Sequence, residues 1–306
     1  MRIGNVNLNL DYYSGNDRYS DGPIEDELLR IVKEKVNIAE LLTLENNWPI
    51  LYHLSPIRRN LLDWIDFRKG GNLLEIGAGC GAMTGLLCEK VHQVTAVELS
   101  KKRATITAER YRDISNLEII VGNWNDIPFV DGTYDYITLI GVLEYASQFT
   151  IGEEPYHQFL SQINRCLKPN GSLIIAIENK FGLKYWSGAR EDHTGEYFDG
   201  LENYVNKNGA RTFSKPELEG LLSESGFNEI EFYYPFPDYK LPALIYSDDV
   251  LPSVGFTQGT PNYDMDRIRM FEEGLVWDNI IMSNQFPLFS NSFLVLCKKQ
   301  GENGNG

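Results

Sequence analysis

The chain is poor in cysteine and in basic charge, and it has no long apolar run. Its four cysteines, Cys80, Cys88, Cys166 and Cys297, fall at no metal-ligand spacing. Three of them sit in apolar stretches, so reduced core thiols in a cytoplasmic protein are expected, and no metal site. Lys and Arg total 28 against 43 Asp and Glu, a net charge of −15. That balance speaks against a nucleic-acid partner, because phosphate backbones are gripped by clustered Lys and Arg. The basic spots Arg58-Arg59, Lys101-Lys102-Arg103 and Lys298-Lys299 are short and read as solvated surface. No run approaches the roughly 20 apolar residues that span a bilayer, and none is preceded by a basic leader. A chain without a membrane span is expected.

What is present suits a globular enzyme. A hydrophobic content of 42% over 306 residues is enough for a large core, as one domain or one domain with a cap. Residues 1–22 are rich in Asn, Asp, Gly, Ser and Tyr and read as an extended, turn-rich lead-in. The spacing of Ile24, Leu28, Leu29, Ile31, Val32 and Val36 predicts an amphipathic helix, and Ser55-Pro56 opens a second one over 57–65. Strand patterns at 72–77, 93–98, 117–121, 134–140 and 171–177 then alternate with helical ones at 82–89, 101–112 and 155–167. Such alternation implies parallel strands with helices on both faces. Ser214-Lys215-Pro216-Glu217 is a capping-box start. Two further strands, 229–234 and 292–298, flank a stretch rich in proline, aromatic and acidic residues.

The most informative segment is Leu73-Leu74-Glu75-Ile76-Gly77-Ala78-Gly79-Cys80-Gly81, a buried strand running into a glycine-rich turn. The next strand, Val94 to Glu98, ends in an acid. Glycines let a backbone approach a nucleotide closely, and a carboxylate at the following strand end can accept both ribose hydroxyls. A nicotinamide dinucleotide site competes for this reading, since Gly77, Gly79 and Ala82 satisfy a G-x-G-x-x-A form. Glu75 before the glycines disfavours it, because an ionised side chain inside a buried strand is costly without a partner. So do Asn123-Trp124-Asn125-Asp126 after the third strand and an antiparallel last strand.

With those residues assembled, the chain resembles the class I S-adenosylmethionine-dependent methyltransferases over roughly 50–299, most specifically 72–145. The resemblance implies an α/β fold, a doubly wound seven-stranded mostly parallel sheet with an antiparallel last strand. It suggests a cap at 1–50, a methyltransferase domain at 51–300 with lid insertions at 178–213 and 235–290, and a flexible tail at 301–306. The implied cofactor is S-adenosyl-L-methionine. Gly77, Ala78, Gly79 and Gly81 would pass beneath its methionyl and ribose part, with Glu75 near its amino group or ordering the loop. Glu98, followed by Leu99, would hold the ribose. Asn123 stands where the family usually presents an acid to adenine, and Trp124 would pack on the ring. Gly141 would let the backbone approach the methyl group. Arg58 would pair with the methionyl carboxylate, and His53 would line the pocket.

The stretch Ile177 to Tyr185, with Glu191-Asp192-His193-Thr194 and Tyr234 to Lys240, also resembles a bacterial subgroup associated with surface-polysaccharide enzymes. That implies O-methylation of a sugar or similar small polar acceptor, free or linked to a nucleotide or lipid. For a hydroxyl acceptor a general base is needed. His193, oriented by Asp192, is the first choice, with Glu144 and Asp238 in reserve. Tyr185, Trp186, Tyr197 and Phe198 would stack on a sugar, and Lys180, Lys184 and Arg190 would hold a phosphate. Transfer to an amine, a carboxylate or a peptide side chain stays open, as does a silent cofactor-binding scaffold.

Overall fold

A computed structural model describes residues 1–17, 19–44, 47–205, 209–256, 259–261 and 267–301. The expected flexible tail, beyond Gly301, lies outside the described residues. By packing, the chain divides into two compact units. The first holds Met1–Leu139 and Arg165–Leu173 with Gly301, and the second holds Ile140–Asn164 and Ile174–Gln300.

The first unit is built on β1 (Arg2–Ile3), β2 (Val6–Asn9), β3 (Asn72–Ile76), β4 (Gln93–Glu98), β5 (Leu117–Val121), β6 (Tyr134–Ile140) and the opening half of β7 (Leu167–Glu178). Their order is β1-β2-β5-β4-β3-β6-β7. Strands β2, β5, β4, β3 and β6 run parallel in succession, and only β1 turns back on β2. Leu73, Leu74, Val94, Ala96, Ile119, Ile137 and Leu139 are buried throughout. Such near-continuous apolar strands are the mark of a parallel sheet covered on both faces. Helices at Thr84–Lys90 and Lys101–Arg110 follow β3 and β4, and Ser100 Oγ caps the second by accepting from Arg103 N.

The lead-in differs from expectation. Val6 and Leu8 alternate with asparagines, and this short pattern suffices to add β2 beside β5. Helix Ile24–Glu34 forms as its periodicity predicts and buries Leu28 and Ile31 against Ile50, Leu54, Cys80 and Ile106. Burying each of these aliphatic side chains contributes about 1.5–3 kcal/mol, so the helix is held firmly over the glycine turn. Helices at Ile38–Leu44 and Trp48–Leu54 precede a 3-10 turn at Pro56–Leu61, where a single helix over 57–65 was expected.

In the second unit the rest of β7 is followed, in sheet order, by β10, β8 and β9, where β8 is Phe227–Phe236, β9 is Leu244–Ser247 and β10 is Ser292–Lys299. Both β10 with β8 and β8 with β9 pair antiparallel, as the last-strand expectation requires. Among the described residues the strands number ten rather than seven, the additions being β1, β2 and β9. Ser214 and Glu217 close the predicted capping box over helix Lys215–Glu224. The described parts of 235–290 hold more regular structure than their composition suggests. They carry β9 and helices Glu273–Met282 and Phe286–Phe289, anchored by Trp277, Phe286, Phe236 and Tyr234 with ring centroids 5.2 to 6.0 Å apart. Among the described residues no helix is long and apolar enough to cross a membrane.

Candidate active site

In the first unit the turn after β3 is pinned from several sides. Gly77 N and Ala78 N both donate to Val97 O, at 2.9 and 3.1 Å. This brings the turn to the end of β4, where the buried Glu98 carboxylate accepts from Gly79 N at 2.7 Å and Ser100 N at 2.8 Å. Thr107 Oγ1 and Tyr111 Oη donate to the carbonyls of Gly79 and Gly81, at 2.9 and 2.7 Å. Leu99 is half-buried beside them.

The glycines have different reasons to be there. Gly79 has φ +56°, and a Cβ there would meet nothing within 4 Å. Gly81 has φ +79°, but a Cβ would come 2.8 Å from the Tyr111 ring and 3.0 Å from Thr107. Gly79 thus leaves bare backbone facing open space, whereas Gly81 is required by packing against helix Lys101–Arg110 and its cap Tyr111. Glu75 orders the turn by accepting from Thr84 Oγ1 at 2.6 Å. Burial pushes its pKa up to about 8, with the Thr84 bond opposing and Glu98 reinforcing. Glu98 is also raised, by burial first, with Arg103 and the backbone donors opposing.

Around this turn the N-terminal segment is tied down by charge. Arg103 is buried and pairs with Glu25 at 2.8 Å and with Asp21. Asp21 in turn holds His53 Nε2 at 2.9 Å. His53 is therefore a strut for the lead-in; burial lowers its pKa, opposed by Asp21 and assisted by Arg103 and Arg58. Arg110 Nη1 donates to His53 O at 2.9 Å and to Cys80 O at 3.3 Å, clamping helix Trp48–Leu54 to the turn.

Arg58 differs from all of these. It is 3% exposed and stacks on Tyr52 at 4.2 Å, yet its Nε and Nη1 have no hydrogen-bond partner among the described residues. A buried cation with idle donors is expensive unless an anion joins it. After β5, Asn123 uses its side-chain oxygen to accept from Asn125 N at 3.2 Å, capping its own turn. Trp124 is buried and stacks on Phe129 at 4.5 Å, so one face of the indole is already taken by the protein.

The second unit gathers the other predicted residues, but into an ion cluster rather than an open base. Gly141 donates to Ala176 O at 2.9 Å, and a Cβ on it would stand 2.8 Å from Tyr239 Oη. Glu144 is 1% and Glu178 0% exposed. His193 Nδ1 lies 3.0 Å from Tyr145 Oη, and its Nε2 lies 3.4 Å from Glu178 Oε2. Asp192 does not orient the imidazole. Its carboxylate takes Lys184 at 2.9 Å, Lys240, and the Tyr185 hydroxyl at 2.5 Å. Lys240 also pairs with Glu178 Oε1 at 2.7 Å. Asp238 accepts from Lys240 N at 2.8 Å and lies 3.6 Å from Lys184, which makes it a structural partner.

Charge in this cluster sets the protonation states. Burial pushes the Glu144 carboxyl up to about 8, and the nearby Glu178 adds to it. Burial also opposes ionisation of Glu178, but Lys240 and His193 hold it well below the usual carboxylate range. For His193 burial works against the charged form, yet Glu178, then Glu144 and Glu191, raise it to about 9. The ligand-free imidazole is thus protonated at neutral pH, unlike the free base expected from sequence. Two other expectations are corrected. Tyr185 is buried with its hydroxyl engaged, leaving Trp186 and Phe198, 45% and 36% exposed, as the open rings. Lys180 is neutralised by Glu217 at 2.6 Å and Lys184 by Asp192, so neither is a free phosphate ligand. Glu178, Tyr145 and Lys240 were not anticipated. Glu178 carried a signal, since it ends the apolar run Ile174 to Ile177 much as Glu75 interrupts its own.

Known proteins bear on the first unit most directly. The methyltransferase-domain family matches residues 74–175. Demethylmenaquinone methyltransferase of Staphylococcus epidermidis is 24% identical over 196 residues, covering 56% of this chain and 74% of that enzyme. The enzyme of the same name from Listeria monocytogenes is 28% identical over 135 residues, covering 42% and 54%. Among solved structures, Haemonchus contortus phosphoethanolamine N-methyltransferase 1 gives a TM-score of 0.52 at 14% identity, covering 96% of this chain and 52% of that one. A chain of the complex between the Haloferax volcanii Trm112 methyltransferase activator and its methyltransferase gives 0.50 at 16%, covering 83% and 91%. These structures show the fold. Together with the family match over β3 to β7, residues 74–175 are the methyltransferase domain of an S-adenosylmethionine-dependent enzyme.

Proposed function

We propose that the enzyme methylates an oxygen of a small polar acceptor, a carbohydrate in the first instance. The observation that carries the cofactor half is the buried, unpaired guanidinium of Arg58 in the same unit as the open backbone of Gly79. S-adenosylmethionine carries one carboxylate, which answers Arg58, and an adenosyl diol, which answers Glu98. When bound, it supplies a methyl carbon activated by the adjacent sulfonium. The chain's own contribution is alignment, which for well-oriented reactants is worth about 7–11 kcal/mol.

Each residue then has a defined task. Glu98, already anchored on Gly79 N and Ser100 N, needs only to exchange one amide for ribose hydroxyls. Arg58 fixes the methionyl end by a charge-assisted pair. Glu75 keeps the turn in register through Thr84. Asn123 spends its side-chain oxygen on Asn125, so its amide N–H groups are left to donate to an adenine ring nitrogen, where an acid would instead accept from the adenine amine. Glu144, Glu178 and His193, all in the second unit, form the set that handles the acceptor proton; with His193 already protonated at neutral pH, the ionised Glu178 is the member open to it. The exposed rings of Trp186 and Phe198 support a sugar acceptor by offering flat apolar faces. The sequence likeness to surface-polysaccharide enzymes supports the same choice.

The test is product analysis. The enzyme is incubated with methyl-labelled S-adenosylmethionine and, separately, with nucleotide-linked sugars, free sugars, a hydroquinone and primary amines. Label is expected on a sugar oxygen. Label confined to carbon or nitrogen, with every sugar inert, overturns the acceptor assignment and leaves the enzyme class intact.

A further inference from the structure

The cluster in the second unit has a property that its role in proton handling does not explain. Its carboxylates, Glu144, Glu178, Glu191, Asp192 and Asp238, outnumber its cations, Lys184, Lys240 and His193, and all lie at or below 9% exposure or carry a nearly covered side chain. The lysines are spent on Asp192, Asp238 and one oxygen of Glu178. What remains points inward. Among the described residues, Glu144 Oε2 and His193 Nε2 have no hydrogen-bond partner. These groups and Glu178 each offer a donor atom, and the donors lie within 4.8 Å of one another.

We propose that Glu144, Glu178 and His193 bind a divalent metal ion, of the manganese or zinc type. Two oxygens and one imidazole nitrogen are a donor set such ions accept. Ligands about 2.1 Å from one ion at a tetrahedral angle stand about 3.4 Å apart. His193 Nε2 and Glu178 Oε2 are already separated by 3.4 Å. Glu144 has to close by a rotamer adjustment, and its Oε2 has no hydrogen bond to give up. The outer contacts are in place as well. On binding, His193 gives up its Nε2 proton to solvent; the tautomer that remains, with hydrogen on Nδ1, donates to Tyr145 Oη at 3.0 Å and aims the Nε2 lone pair at the metal position. Lys240 holds Glu178 Oε1 at 2.7 Å, leaving Oε2 as the ligand. Such outer partners fix the tautomer and orientation of metal ligands. An ion here would also lower the pKa of an oxygen bound to it; that consequence rests on the acceptor reading above, whereas the binding does not.

The experiment uses the full chain after chelator treatment, with no cofactor or acceptor. Manganese chloride alone is titrated, and free ion is followed by its electron paramagnetic resonance signal; zinc and magnesium salts are compared by equilibrium dialysis. A single saturable manganese or zinc site per chain is expected. Tyr145→Phe should weaken it about tenfold or more, the usual loss for an outer partner, and Glu144→Gln should weaken it further. Glu144→Gln keeps shape, the Oε2 it replaces has no hydrogen-bond partner, and its circular dichroism is compared with wild type. If neither ion binds at millimolar concentration, protons and Lys240 alone neutralise the cluster and the proposal fails. Binding that Glu144→Gln and Tyr145→Phe leave unchanged places the ion elsewhere and fails it too.

Discussion

The two units treat buried charge in opposite ways. In the first, Arg103 is saturated by Glu25 and Asp21, while Arg58 keeps two donors idle. In the second, both lysines are saturated, and it is the carboxylates Glu144 and Glu178, with His193, that have spare capacity. A fold does not retain an unpaired buried charge for stability, because hydrophobic replacement is often neutral or better. The contrast teaches that each unit is short of one counterion, an anion in the first and a cation or proton in the second. In the proposed function the methionyl carboxylate is the anion for the first.

The contrast is broken most severely by removing a saturated partner. Lys240→Met leaves Glu178 and Asp192 with less compensation and should destabilise the ligand-free protein by about 3–5 kcal/mol in denaturant unfolding. Arg58→Met should do the reverse, leaving ligand-free stability unchanged or raised. Its cofactor affinity should fall by about 1.5–3 kcal/mol, the contribution of a hydrogen bond to a charged group. Equal destabilisation by both substitutions would erase the distinction between saturated and waiting charges.

Acidity sharpens the same comparison. His193 rises from 6.5 to about 9 on folding, so the native state binds more protons than the unfolded chain across that interval. Stability from this group is complete below pH 6.5 and is lost as pH climbs through about 9. Glu144, raised from 4.5 to about 8, acts in the same direction between those values. Unfolding free energy of the ligand-free protein should therefore fall as pH rises from 6.5 to 9, by up to about 1.4 kcal/mol per unit for each proton difference. A flat profile contradicts the buried cluster. The smallest effect belongs to Gly79→Ala. Its left-handed backbone costs about 1–2 kcal/mol in any L-residue, with no added clash. Gly81→Ala should destabilise more, since it also strikes Tyr111.

Much of the fold is legible in the sequence because parallel strands write a strong signal. Strands β5 and β6 run over 117–121 and 134–140, as the apolar runs predict. The hairpin β1–β2 is not legible in the sequence because its pattern is only a few residues long and stands on β5, which is remote in sequence. In the cofactor half, glycine and acid spacing is local and readable. Which glycine faces open space and which faces Tyr111 depends on a helix thirty residues away. The cluster was legible as polar residues but not as a network. His193 is legible as a site residue, yet its partners are Tyr145 and Glu178, while the adjacent Asp192 serves lysines from elsewhere. Adjacency in sequence is a weak guide to which carboxylate orients an imidazole.

The assignment of Arg58 to the methionyl carboxylate is tested most directly by a binding cycle. Calorimetric titrations compare S-adenosylmethionine with its decarboxylated analogue on the wild-type chain and on Arg58→Met. The wild type should prefer the intact cofactor by about tenfold or more, as a charge-assisted pair provides, and Arg58→Met should bind both equally. A preference that survives the substitution would show that another group holds the carboxylate and that Arg58 is idle for some other reason.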